Sequence, residues 1–285
     1  MSELSSSARD TALSADAETA EETMAAAGDD GFHRRVVIAR TLLVGGILAV
    51  WQVAVSVGLI DAFWVSSPIL VAEELWHLIV SGELLTDVWM TVSEALVAFV
   101  FSSSLGIICG LMLSRSPFWD EVMAPIIVAL NSLPRIALAP LIILWFGIGV
   151  VAKVATAFTL IFFILLVNTL GGAKNVDNDI MTIAQLMGAS KRDLLWKVTL
   201  PSALPWIFAA LSIALTYSLL GVIVAEILAS NQGLGYLIAA SAGNFNTAGV
   251  FAALVVLAAI AWAFSTGMRK LEARLLRWKP SVTSA

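Results

Sequence analysis

The sequence predicts an all-α integral membrane protein with about six transmembrane helices. Hydrophobic residues make up 59% of its 285 positions and charged residues only 13%, and the mean hydropathy is +0.92. Soluble domains carry about 25% charged residues, so lipid is the expected solvent. A bilayer core of about 30 Å needs roughly 20 apolar residues in a helix. Charge-free runs of at least that length occur at residues 41–60, 95–114, 154–173, 198–225 and 227–268.

The distribution of basic residues predicts the orientation of these helices. We place the spans at residues 41–60, 88–114, 122–147, 154–173, 203–228 and 247–268. An even number of spans puts both termini on one side, and all but two of the 16 Lys and Arg residues fall on that side. The exceptions are Arg135 and Lys153. The positive-inside rule makes this side cytoplasmic.

The chain divides by composition into three regions. Residues 1–35 form an acidic tail that is expected to be disordered and cytoplasmic, and its acids account for the net charge of −5. Residues 36–272 form the transmembrane domain, and residues 273–285 form a basic cytoplasmic tail. The tail at the N-terminus has no basic or apolar stretch of the kind found in a signal peptide. The single Cys109 allows no intramolecular disulfide, and both histidines lie outside the spans, so no metal site is expected.

Two segments are predicted on the outer face. Ser67 is expected to cap a helix that begins at Pro68 and lies at the membrane interface. Its apolar stripe consists of Ile69, Ala72, Leu75 and Trp76. The second segment, residues 231–247, is uncharged and rich in glycine. The sequence leaves open whether it is a re-entrant loop or a surface loop.

The third span contains three prolines, Pro125, Pro134 and Pro140, together with Asn131 and Arg135. Proline removes a backbone donor, and within a membrane the freed carbonyls need neighbouring groups or a water-filled cavity. The pattern predicts a bent helix beside a polar pathway. A helix that is only kinked by its packing is the alternative.

Ionisable groups at membrane depth are costly, and each is a functional candidate. Glu94, Arg135 and Glu226 are the three such groups that fall within the span limits. Arg135 either lines the pathway and favours an anionic substrate, or pairs with Glu94 or Glu226 as a structural ion pair. Glu226 is alternatively placed at the interface, with its carboxylate reaching the headgroups. The candidate pathway residues are Glu94, Asn131, Pro134, Arg135 and Glu226.

Residues 174–202, between the fourth and fifth spans, form a charged cytoplasmic segment. Asp177 or Asp179 is expected to cap a first short helix. One face of that helix is apolar, at Ile180, Ile183, Ala184 and Met187. Gly188 suits the end of this helix.

A second short helix is expected after the glycine turn. Ser190 and Asp193 have the spacing of a capping box, and Pro201 marks the transition to the fifth span. The exposed apolar face either lies on the membrane surface or docks into a groove of a partner protein. The residues alone leave both readings open.

The segment resembles the cytoplasmic EAA loop of importer permeases of the ATP-binding-cassette superfamily. In that signature a glycine is followed by nine residues and then I-x-L-P, and here Gly188 is followed by residues 189–197 and then Val198-Thr199-Leu200-Pro201. Thr182-Ile183-Ala184 stands where the signature has E-A-A, so only the last alanine is kept. The stretches SLPRIALAPLIILWFGIG (132–149), FFILLVNTLGGAKNVD (162–177) and VAEILASNQGLGYLI (224–238) resemble the nitrate/sulfonate/taurine branch. That branch includes importers of pyrimidine precursors and riboflavin, and the resemblance covers about residues 40–278.

The resemblance implies the type I permease fold in a bacterial cytoplasmic membrane and a set of partners. These are two ATPase subunits that bind Mg-ATP, a second copy of the chain, an external solute-binding protein, and membrane lipid. Residues 174–202 would then contain a coupling helix that docks on the ATPase. The implied coupling residues are Asp179, Ile180, Ile183, Ala184, Met187, Gly188, Ala189, Ser190, Asp193, Leu200 and Pro201.

The sequence itself agrees with a non-enzymatic transport subunit. It contains no Gly-Lys dipeptide, so a phosphate-binding loop of the G-x-x-x-x-G-K-[ST] type is excluded, and no cofactor or nucleic acid is expected to bind this chain. The expected cargo is a small organic or inorganic anion, with an uncharged heterocycle as the alternative. A self-contained carrier would instead transport without ATP. An intramembrane hydrolase is disfavoured because no histidine and no pair of aspartates lies within the spans.

Overall fold

The computed structural model describes residues 34–276, and every regular element in this range is a helix. The predictions for the tails therefore lie largely outside the described residues. The chain divides into two units, with the boundary after Ile69.

The first unit contains a long apolar helix and a short one. Helix α1 spans Arg34–Ser56 and α2 spans Ala62–Val65. Helix α1 ends earlier than predicted because the chain turns at Gly58, which has a φ of 75° that favours glycine. Helix α3 (Pro68–Ser81) begins at Pro68, as predicted. Its first turn is held by the Ile69 N–H, which donates to the side-chain oxygen of Gln52 at 3.2 Å.

The second unit is a bundle of long apolar helices. Its central helices are α4 (Glu83–Ser114), α7 (Val150–Lys174) and α10 (Leu200–Ala229), joined by α12 (Thr247–Leu275). The remaining elements are α5 (Pro117–Asn131), a 3₁₀ turn (Arg135–Leu138), α6 (Ala139–Phe146), α8 (Asn178–Leu186), α9 (Lys191–Leu194) and α11 (Leu234–Gly243). The core contains five alanines, Ala95, Ala98, Ala157, Ala210 and Ala214, packed with Ile161, Leu165, Leu219 and Val222.

Five helices of the described residues are long and apolar enough to cross a membrane, and the number is six when one bent helix pair is counted as a single span. The prediction of about six spans is confirmed. The bent pair is the proline-rich third span, in which Pro117–Asn131 and Arg135–Phe146 meet at 79°. The bend follows from Pro134, which cannot donate to a helical hydrogen bond. The predicted bend is therefore confirmed.

Close contact between α4 and α7 depends on glycine. A Cβ atom on Gly106 would lie 2.7 Å from the Cβ of Leu165 and from the carbonyl oxygen of Phe162. A Cβ on Gly110 would lie 2.8 Å from the Cβ of Thr169. The two glycines therefore allow the backbones to approach in the way expected of a G-x-x-x-G pattern.

The fifth span differs from the prediction at its N-terminal start. Residues Lys191–Ala229 form one continuous helix of 39 residues, so the second short helix, α9, is not separated from α10 at Pro201. Residues Leu195–Thr199 adopt a π-helical turn, and the Leu200 N–H donates to the carbonyl of Leu195. The wider turn ends just before Pro201, which then occupies the first turn of α10, where a missing N–H is tolerated.

The glycine-rich segment at residues 231–247 contains the short apolar helix α11, which packs against α10 and α12. The Asn246 side chain caps α12 by accepting from the Gly249 N–H at 3.0 Å. The same side chain donates to Glu74 Oε1 at 2.9 Å, which ties this segment to α3. The segment is thus a packed helix rather than an irregular loop.

Replacing Gly106 with alanine should lower the thermal midpoint of the purified protein. The new methyl group has no room against α7, and overpacking costs about 1–3 kcal/mol, more than the helix propensity of alanine returns. Gly171→Ala is the matched control, because nothing lies within 4 Å of a Cβ there. A Gly106 variant as stable as the Gly171 variant would contradict the packing described here.

Candidate functional site

A buried ionic cluster joins the three central helices at one end of the bundle. The Nζ atom of Lys153 on α7 lies 3.0 Å from Glu94 Oε2 on α4 and 3.6 Å from Glu226 Oε1 on α10. The exposed fractions of Lys153, Glu94 and Glu226 are 4%, 3% and 1%. Buried charges persist only when they are paired and hydrogen-bonded. The cluster therefore fixes the relative positions of α4, α7 and α10.

The same cluster holds the start of α11. The Gly233 N–H donates to Asp87 Oδ1 at 2.7 Å, and the Leu234 N–H donates to Thr91 Oγ1 at 2.9 Å. The Gly235 N–H donates to Glu226 Oε2 at 2.8 Å. Thr91 in turn donates to the carboxylate of Glu226 at 3.0 Å. The first N–H groups of α11 are thus satisfied by side chains of α4 and α10.

Lys153, Thr91 and Asp87 are missed by the sequence reasoning. The predicted spans place Lys153 in the loop before the fourth span. In the structure α7 begins at Val150, so Lys153 lies within this helix and is buried. Two signals were present. Lys153 is an exception to the positive-inside pattern, and Asp87, Thr91 and Glu94 recur at i, i+4 and i+7, which puts them on one helix face.

The structure excludes one of the alternatives left open for each of two membrane charges. Arg135 does not pair with Glu94 or Glu226, because Lys153 occupies the position between those carboxylates. Glu226 does not reach the interface, because it is buried within the bundle. Burial is possible because the Lys153 ammonium, the Gly235 N–H and the Thr91 hydroxyl surround its carboxylate.

Arg135 lies at the bend of the third span, in a different environment. Its guanidinium donates to the carbonyl and side-chain oxygens of Asn131 and to the Leu160 carbonyl, the last at 3.3 Å. It also lies over the ring of Phe163, 5.0 Å from the centroid. Pro134 precedes it at the start of the 3₁₀ turn. Among the described residues no carboxylate lies within ion-pair distance of Arg135. Its guanidinium contacts only neutral groups, namely carbonyl and amide oxygens and an aromatic ring.

The charged segment between α7 and α10 lies at the opposite end of the bundle from the ionic cluster. Asp177 caps α8 by accepting from the Asp179 N–H at 2.8 Å. Gly188 ends this region with a φ of 84°. Ser190 and Asp193 form the predicted capping box at the start of α9. Both helix starts of the segment are therefore capped by side chains.

The apolar face of this segment is exposed within the protomer. Ile180, Ile183 and Met187 are 52%, 57% and 83% exposed, and Leu186 beside them is 82% exposed. Ala184 and Ala189 are partly exposed. Leu200 and Pro201 begin α10 and are also partly covered. Within residues 34–276, no group of three or more His, Cys, Asp or Glu side chains is placed to hold a metal ion.

Comparisons with known proteins agree with this arrangement. The family model for a binding-protein-dependent transport system inner membrane component matches residues 102–277. The putative aliphatic sulfonates transport permease protein SsuC of Bacillus subtilis is 31% identical over 240 residues, covering 84% of this chain and 87% of that protein. The riboflavin transport system permease protein RibX of Chloroflexus aurantiacus is 34% identical over 235 residues, covering 82% and 88%. A solved inward-facing structure of the MetNI methionine ABC transporter matches with a TM-score of 0.62 at 18% identity, covering 68% of this chain and 97% of that one.

Replacing Lys153 with methionine should sharply reduce the yield of folded protein. Two carboxylates would remain buried without a cation, and breaking a buried pair in this way costs about 3–5 kcal/mol. Adding Glu94→Gln should restore much of the yield, because one of the two carboxylates is then removed. Monodisperse protein is measured by size-exclusion chromatography in detergent.

The control for this prediction is Lys270→Met, which removes an exposed lysine from α12 and should leave the yield unchanged. Equal yields for Lys153→Met and the control would show that the cluster contributes little to folding.

Proposed function

From the premise that the chain belongs to the family of binding-protein-dependent transport system inner membrane components and is a permease subunit of an ATP-binding-cassette importer, we propose that it works as a homodimer. Two copies form one pathway through the cytoplasmic membrane, with both termini in the cytoplasm. Two separate ATPase subunits bind Mg-ATP and drive transport. An external solute-binding protein delivers the cargo to the opposite face.

The observation that carries this proposal is the exposed apolar face of α8, at Ile180, Ile183 and Met187. Exposed apolar patches on an otherwise packed protein mark interaction sites, and a short amphipathic helix fits a hydrophobic groove through such a stripe. The adjoining Gly188 to Pro201 spacing is that of the EAA loop. The groove is proposed to belong to the ATPase subunit, with residues 179–201 as the coupling segment.

The helical connection to the bundle supports a coupling role. Asp193 and Ser190 fix the start of α9, and α9 continues into α10 without a break. Leu194 and Thr199 are buried and hold this connection against the protein. A displacement of the coupling segment on ATP binding would therefore move α10, and alternating access of the pathway follows from that movement.

The packing of α5 supports the dimer. Helix α5 has no buried residue within the protomer, although it contains polar Asn131 and is followed at the bend by Arg135. A helix that carries polar groups at membrane depth normally faces a bundle interior or a water-filled cavity. We infer that a second copy supplies the other wall of the pathway at this helix, with Asn131, Pro134 and Arg135 facing it.

The proposed substrate class is a small organic or inorganic anion. Arg135 carries a positive charge without a carboxylate partner among the described residues, and a guanidinium is suited to bidentate contact with a sulfonate or similar group. One relative is named for aliphatic sulfonates and another for riboflavin. An uncharged heterocycle is the second candidate, and it gives Arg135 no electrostatic role.

Replacing Met187 with glutamate should abolish association with the ATPase subunit. The new charge would be buried in an apolar groove, and a central interface residue contributes about 2 kcal/mol or more, so co-purification should fall at least about tenfold. Gln185→Glu adds the same charge at another exposed position of α8 and should retain the partner. Co-purification is measured by quantitative mass spectrometry of the tagged protein. Undiminished association of the Met187 variant would contradict the docking proposal.

Replacing Arg135 with glutamine should lower uptake of an alkyl sulfonate into vesicles by about tenfold or more, the effect of losing a charge-assisted hydrogen bond. Arg135→Lys keeps the charge and should retain part of the uptake. Yield and ATPase association serve as folding controls for both variants. Unchanged sulfonate uptake in the glutamine variant would favour the heterocycle.

A further inference from the structure

We propose that Glu226 is a positioning residue for transport, which fixes α11 to α10 so that movement of α10 is passed to the far end of the bundle. The inference rests on the proposed function, since it concerns how the ATP-driven movement reaches the side opposite the coupling segment. The inference assigns a role in transport to a residue that lies neither in the proposed ATPase-coupling segment nor at the bend near Arg135.

The attachment of α11 depends on backbone groups rather than on its own side chains. Helix α11 has no side-chain cap of its own. The consecutive N–H groups of Gly233, Leu234 and Gly235 donate instead to side chains of α4 and α10. The first N–H groups of a helix have no partner within it. The start of α11 therefore keeps its hydrogen bonds only while it stays on α4 and α10.

Glu226 is the side chain of α10 that accepts a hydrogen bond from the start of α11, and Asp87 and Thr91 of α4 accept the other two. Lys153 lies closer to Glu94, at 3.0 Å, than to Glu226, at 3.6 Å. Lys153 and Glu94 form a neutral pair, which leaves Glu226, together with the Asp87 carboxylate at Gly233, as net negative charge beside the start of α11. The start of a helix carries about half a positive charge. The start of α11 thus supplies the compensation that Lys153 alone does not provide.

The glycines at the start of α11 are explained by the same carboxylate. A Cβ atom on Gly233, which has a φ of 108°, would collide with the carboxylate of Glu226. A Cβ on Gly235 would lie 2.6 Å from the Glu226 Cβ. Leu234 between them is fully buried. The sequence Gly-Leu-Gly therefore fits one arrangement, in which the Glu226 side chain lies directly against this backbone.

The location of Glu226 gives the attachment its role in transport. It lies near the end of α10, and the other end of the same continuous helix begins at the proposed coupling segment. Helix α11 continues through Asn246 to α12 and to Glu74 of α3. A shift or rotation of α10 therefore carries α11 with it, and with α11 the segments that form the far surface.

Glu226→Gln separates this role from folding. The amide has nearly the same size and retains one acceptor for the Gly235 N–H, while the neutral Lys153–Glu94 pair remains in the core. Hydrogen–deuterium exchange is measured on the complete complex with its ATPase in nanodiscs, without nucleotide and after trapping with Mg-ATP and vanadate. We expect exchange at residues 233–235 to rise by about tenfold, because charge-assisted hydrogen bonds are roughly twice as strong as neutral ones. Exchange in the core of α4 and α7 should stay unchanged.

The nucleotide response supplies the readout that a purely structural role would not alter. In the wild-type complex, trapping should change exchange both at α8 and at residues 233–235. In Glu226→Gln, the response at α8 should persist while the response at residues 233–235 is lost. Glu83→Gln, an exposed glutamate at the start of α4, is the matched control. The pair Lys153→Met with Glu94→Gln keeps the Glu226 carboxylate and should retain the wild-type response at α11.

Three results would overturn the inference. The first is a Glu226→Gln variant in which residues 233–235 exchange, and respond to nucleotide, as in the wild type. The second is faster exchange throughout the bundle of that variant, and the third is an equal loss of the nucleotide response at residues 233–235 in the Lys153/Glu94 double variant. A wild-type complex in which nucleotide changes neither α8 nor α11 would instead contradict the proposed function itself.

Discussion

The structure depends on the compensation of charge around Lys153. An ammonium group at membrane depth is unfavourable unless acceptors surround it. Here the acceptors come from two other helices, Glu94 of α4 and Glu226 of α10. Three helices are thereby fixed at one end of the bundle by a requirement that apolar packing alone would not impose, because lipid is as apolar as the side chains it would replace.

Close packing elsewhere in the bundle follows from small residues. Where α4 meets α7, Gly106 and Gly110 let the two backbones approach. Where α10 meets α7, a Cβ on Gly221 would lie 2.8 Å from the Cβ of Ala157. In lipid, helices associate through van der Waals contact and interhelical hydrogen bonds. The small residues allow van der Waals contact along the length of the helices, and the ionic cluster supplies interhelical hydrogen bonds at one end.

The sequence predicts the spans, the bend and the capped segment between α7 and α10 well, because each depends on local features. Hydropathy predicts the spans, the prolines predict the bend, and the capping-box spacing of Ser190 and Asp193 predicts the helix start. The ionic cluster depends on contacts between residues far apart in the chain, such as Thr91 with Glu226. A single sequence contains no direct record of such pairs, and an error of a few residues at the start of α7 was enough to place Lys153 outside the membrane. The merging of α9 with α10 was missed for a related reason, since a π turn that accommodates Pro201 has no simple sequence signal.

The length of the Lys191–Ala229 helix connects these observations to transport. At 1.5 Å per residue its 39 residues extend about 58 Å, nearly twice the hydrocarbon thickness of about 30 Å. This helix is therefore long enough to reach beyond the apolar layer, and it carries Glu226 near its other end. Pro201 would normally interrupt such a helix, and the π turn at Leu195–Thr199 preserves its continuity. A break at that position would let the charged segment between α7 and α10 move without α10. The continuous helix instead places the start of α9, just after the Gly188 turn that follows α8, and the attachment of α11 at opposite ends of one helix.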